Sequence, residues 1–142
     1  METTADQPRR RPLHPVNAFL VSATVTLFLG ALLSDMAYFV SYQVQWTNFA
    51  SWLIAAGLLF GGVVLVSAAA GLRHADRREG RYLLYGFFLL VAWAVGFINA
   101  LIHAKDAWAV VPEGLILSAI VFSLAGVAAW LGLFNGRRGD VS

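Results

Sequence analysis

Four long runs without a charged side chain alternate with short polar stretches, and this alternation organises the chain. The first run, Val16 to Ser34, is 19 residues long, enough for a helix to cross a hydrocarbon core of about 30 Å. Between Asp35 and Arg73 lie 37 residues without a charge. Tyr38, Tyr42, Gln43, Gln45, Trp46 and Asn48 crowd the start of that stretch, and amphipathic rings favour the headgroup level. An interfacial loop is therefore expected over 35–49, with a second span over about 50–72. A polar connection, 73–81, precedes a third span over about 82–104. After the polar stretch 105–113, the fourth span covers about 114–134. Pro112 suits the first position of that helix, where a missing N–H is no loss. Glu113 favours the same end through the helix dipole, and Asn135-Gly136 forms a C-cap. The pattern predicts an all-α, four-helix transmembrane bundle over 13–136, with a disordered basic tail at 1–12 and a short basic tail at 137–142.

Composition agrees with this class. The chain has 142 residues, 59% apolar and 13% charged, against about 25% charged in soluble proteins. With no cysteine, disulfides, thiolate metal sites and cysteine nucleophiles are excluded. The net charge of +2 matters less than its distribution. Arg9, Arg10 and Arg11 precede the first span, Arg73, Arg77, Arg78 and Arg81 lie between the second and third, and Arg137 and Arg138 follow the fourth. Only Lys105 lies on the other side. The positive-inside rule then places both termini in the cytoplasm and the 35–49 and 105–113 loops outside. The first run is too long for the apolar region of a signal peptide and more spans follow it. The basic segments attract anionic lipid, but they are too few for nucleic-acid binding. No phosphate-binding glycine loop, nucleophile elbow or zinc-protease motif occurs, so an enzyme is not expected.

Small residues recur at four-residue intervals. Ala18, Ser22, Thr26, Gly30 and Ser34 do so in the first span, and Ala92, Gly96, Ala100 and Ala104 in the third. Gly57 and Gly61 form a pair in the second. Such residues let helix backbones approach closely in lipid. Packing within the bundle is the plainer expectation, and a homodimer seam on the Gly57–Gly61 face is the alternative.

Particular residues carry a resemblance. His14-Pro15 opens the first span, Asn99-Ala100-Leu101-Ile102-His103 is followed by Asp106-Ala107-Trp108, and Gly114-Leu115-Ile116-Leu117-Ser118 follows Pro112. The chain after residue 12 resembles a family of four-helix bacterial inner-membrane proteins, domain of unknown function 2231. The resemblance implies a multi-pass location in the bacterial cytoplasmic membrane and brings no activity with it. Many relatives carry a second histidine where this chain has Phe19, so no metal or haem role is carried over, and no cofactor is expected.

The remaining chemistry gathers near the third span's end. Asn99, His103 and Asp106 are spaced i, i+4, i+7, one face of a helix. Asp35 ends the first span on the same side, and Glu113 opens the fourth there. This outer-rim cluster is expected to pair His103 with Asp35 or Asp106. Two classes of function fit. One is a non-catalytic anchor or accessory subunit for a membrane or periplasmic protein, possible as a homo-oligomer. The other is a small transporter or proton-coupled redox subunit that uses His103 and its carboxylates.

Overall fold

The computed structural model describes residues 13–74, 80–105 and 110–134. The tail arginines, Asp106 and the Asn135-Gly136 cap lie outside the described residues. Four helices follow one another: α1 (Pro15–Ser41), α2 (Val44–Gly71), α3 (Gly80–His103) and α4 (Glu113–Leu133). Among the described residues there is no strand. All four helices are long and apolar enough to cross a membrane.

Each boundary has a local cause. Pro15 occupies the first turn of α1, and the His14 imidazole accepts the Val16 N–H at 3.3 Å. The helix then runs through Asp35 to Ser41, where a loop was expected. No glycine or proline interrupts the chain from Ala31 to Ala56, and apolar residues continue at helical spacing. Only Tyr42 and Gln43 separate α1 from α2. Tyr42 adopts a left-handed conformation (φ 54°), and its N–H closes α1 on the Tyr38 carbonyl at 2.7 Å. Pro112 is the N-cap of α4, one position earlier than expected, and Glu113 is its first helical residue.

The helices run alternately up and down. α1 packs against α2 and α4, and α3 packs against the same two, so α1 and α3 face each other across a diagonal. Val21, Val64, Ala68, Tyr85, Leu89, Ala128 and Ala129 form one apolar layer, and Phe28, Ala92, Val121 and Ala125 the next. Beyond these the core turns polar, at the end formed by the C-termini of α1 and α3 and the N-termini of α2 and α4. Two hydrogen bonds tie α3 to α2 elsewhere. Trp93 Nε1 donates to the Leu58 carbonyl at 3.0 Å, and Tyr82 Oη to the Ala68 carbonyl at 3.1 Å. The outer surface carries Phe19, Val40, Trp52, Leu59, Val66, Phe87 and Trp130, side chains for lipid contact.

The small-residue positions divide. Gly57 and Gly61 are buried against α1: a Cβ at Gly57 would lie 2.8 Å from the Phe28 ring, and one at Gly61 3.3 Å from Thr24. α1 of the same chain therefore fills the face on which a homodimer seam was considered. Gly96 is buried among Leu58, Phe28 and Val121, with Ala100 half-buried. In α1 only the last member of the expected stripe, Ser34, is buried. Ser22 and Thr26 are exposed, and their hydroxyls donate to the Ala18 and Ser22 carbonyls of their own helix. Gly30 is half-buried beside Leu53. At 3.6 residues per turn, each four-residue step over-rotates by about 40°, so a run of four such steps winds almost halfway round. The buried line instead follows mixed steps of three and four through Val21, Thr24, Phe28, Ala31, Asp35 and Tyr38, with Ser34 beside Asp35.

Candidate functional site

Four polar side chains from three helices meet in the polar end of the core. α1 supplies Asp35, α3 supplies Asn99 and His103 one turn apart, and α4 supplies Ser118; all are buried, Asp35 to 1% exposure. Asp35 lies six residues before the end of α1, about 9 Å below the tip of the α1–α2 hairpin. That tip exposes Phe39, Val40, Tyr42, Val44 and Trp46. Asp35 thus lies well inside α1, whereas His103 is the last residue of α3 and Ser118 is in the second turn of α4.

The hydrogen bonds form a closed set. His103 Nε2 meets Asp35 Oδ1 at 2.8 Å across the α1–α3 diagonal. On its other side, Nδ1 donates to the backbone carbonyl of Asn99 at 3.0 Å. Ser118 Oγ donates to Asp35 Oδ2 and accepts from Asn99 Nδ2 at 2.9 Å. A carbonyl only accepts, so Nδ1 carries a hydrogen, and a second hydrogen lies between Nε2 and Oδ1. The pair is either imidazolium with carboxylate or imidazole with carboxylic acid, and its net charge is zero in both forms. A neutral pair suits so buried a position, since an uncompensated charge there carries a cost. One acceptor stays unused: Asn99 Oδ1 is buried without a hydrogen-bond partner, as is Thr47 Oγ1 on α2.

Close packing holds the imidazole in place. A Cβ at Gly114 would lie 2.9 Å from His103 Cε1 and 2.7 Å from Val110 Cγ1. Glycine at this position lets the α4 backbone lie against the ring, while the carbonyl of buried Val110 accepts the Gly114 N–H at 2.6 Å.

Of the residues expected in the cluster, Asp35, Asn99 and His103 come together. Glu113 does not: it is exposed in the first turn of α4, where a carboxylate interacts favourably with the helix N-terminus. Lys105 is exposed as well. Ser118 and Gly114 belong to the site and were not singled out for it. Their signal lies in the α4 sequence, where Gly114, Ser118, Val121, Ala125, Ala128 and Gly132 trace one buried line. Among the described residues no three His, Asp or Glu side chains gather as a metal site would require. The donors present are one imidazole, one carboxylate, one hydroxyl and one carboxamide, suited to exchanging protons and hydrogen bonds.

A family model described as "Predicted membrane protein (DUF2231)" matches residues 10–138. No curated protein and no solved structure matches the chain.

Proposed function

The chain belongs to the DUF2231 family of membrane proteins, and from that premise we propose that it is a non-catalytic component of a bacterial cytoplasmic membrane that anchors or assists a membrane or periplasmic partner. One observation carries the reading. Both oxygens of Asp35 and both ring nitrogens of His103 are bonded within the protein, so the buried pair is committed to holding α1, α3 and α4 together. Nine Lys or Arg against one across the membrane support cytoplasmic termini,, which sets the Asp35 end toward the outside. Exposed Ser22 and Thr26 on α1 support a partner helix or a second copy there, since small side chains allow close approach in lipid. The test is mild solubilisation followed by mass measurement of the intact complex. Wild type is expected to carry a partner or second copy in fixed ratio, lost in Ser22→Leu/Thr26→Leu with the melting temperature kept. A monomer alone in every mild detergent overturns the proposal.

The second reading, a small transporter or proton-coupled redox subunit, is favoured by the proton held between Nε2 and Oδ1. It requires a pH-dependent flux or electron transfer in proteoliposomes that His103→Ala abolishes and Ser22→Leu preserves. Equal background flux in wild type and His103→Ala removes it.

A further inference from the structure

The Ser118 hydroxyl links Asp35 to Asn99, and the direction of that link is set by the charge on Asp35. Asn99 Nδ2 donates to Ser118 Oγ, and Ser118 donates to Asp35 Oδ2. Running this way, the chain of bonds ends on a proton acceptor and leaves Asn99 Oδ1 buried with nothing to accept. All three groups both donate and accept when the carboxyl is protonated, so the same three side chains support the opposite direction.

We propose that the cluster is a binding site for a second proton, taken up at Asp35 Oδ2 by reversal of the Asp35–Ser118–Asn99 chain. A proton delivered by hydronium from the aqueous phase, which leaves as water, forms an O–H bond at Oδ2. That O–H donates to Ser118 Oγ, and the Ser118 hydroxyl turns to donate to Asn99 Oδ1. The carboxamide rotates by half a turn, exchanging its oxygen and nitrogen. In the two-proton state Asp35 Oδ1 accepts from His103 Nε2, and Nδ1 stays on the Asn99 carbonyl. No heavy-atom bond is made or broken, and the site rises from net charge zero to +1. Asn99 Oδ1, unused in the one-proton state, becomes the end of the chain in the two-proton state, while Nδ2 gives up its bond to Ser118 and takes the position Oδ1 leaves.

Among the described residues of the cluster, Asp35 and His103 are the acid and the base. α2 contains no Asp, Glu, Lys, Arg or His. From α4 the facing residues are Ser118 and Gly114, while Glu113 and Lys105 are exposed. On α1, buried Tyr38 lies one turn beyond Asp35. The inference holds for either reading above, because a structural clasp and a proton carrier both contain these bonds.

The test follows Asp35 Cγ, Asn99 Cγ and Nδ2, and both His103 ring nitrogens by solid-state NMR of the full chain in bilayers during acidification. Asp35 and Asn99 are expected to shift with one common midpoint, both His103 nitrogens being protonated at its acidic end. In Ser118→Ala, Asp35 still titrates and the Asn99 shift is lost. Three results overturn the proposal: Asp35 fails to titrate while the bundle stays folded, Asn99 is silent when wild-type Asp35 titrates, or Asn99 responds unchanged in Ser118→Ala.

Discussion

At Gly114 only a hydrogen stands between the α4 backbone and the His103 ring. A methyl there would sit 2.7 Å from Val110 and 2.9 Å from the imidazole, and the ring is held on both sides by hydrogen bonds. Gly114→Ala should therefore lower stability by about 1–3 kcal/mol, the usual range for overpacking, whereas Gly126→Ala, with nothing within 4 Å, should leave it unchanged or raise it. Thermal unfolding in one detergent compares the two, and equal melting points would contradict this packing. Asp35 is tested by a pair of substitutions. Asp35→Leu alone leaves His103 buried beside a methyl group, and breaking a buried pair typically costs about 3–5 kcal/mol. Adding His103→Leu removes the stranded partner and should recover most of the loss. A double variant as unstable as the sum of the singles would mean that the pair does not couple.

Among whole helices, the small residues rank by what surrounds them. Gly96 on α3 meets Leu58 of α2, Phe28 of α1 and Val121 of α4, while Gly30 meets only the end of Leu53. Gly96→Leu should lower the melting temperature well below that of Gly30→Leu, because Leu53 can swing aside and three converging helices cannot. The same contrast explains what was legible in the sequence. Four spans could be read because a charge-free run of sufficient length has few other fates in a chain this apolar. His103, Asn99 and Asp35 could be placed at one end because polar residues beside such runs are rare. The face each helix buries was harder to read in α1, where Ser22 and Thr26 look as suitable for packing as Thr24. Small size permits close approach but does not choose the neighbour. Ser118 could not be placed in the cluster from its sequence for a related reason: a lone serine in an apolar helix usually bonds its own backbone, as Ser123 does with the Ala119 carbonyl. Only the arrival of Asp35 from α1 turns Ser118 to a different partner.

Across the whole molecule, the proposed topology makes every polar connection testable. Reporter fusions at Val44 and Lys105 should read outside, and a fusion at His74 inside; a cytoplasmic signal at Lys105 would reverse the proposed orientation. The order in which the chain is made bears on Asp35 in particular. It lies 68 residues before His103 and 83 before Ser118. At about 5–20 residues per second, synthesis of the first interval takes roughly 3–14 s. The α1–α2 hairpin, with its two-residue link, can thus enter the membrane as a unit while its acid still waits for both partners. A nascent chain stopped after α2 carries an orphaned carboxyl on an otherwise uncharged hairpin, a mark that the finished protein conceals. A fragment ending at His74 should accordingly be degraded faster than the same fragment with Asp35→Leu. The last helices to be synthesised would then complete the fold and also withdraw the signal for its destruction.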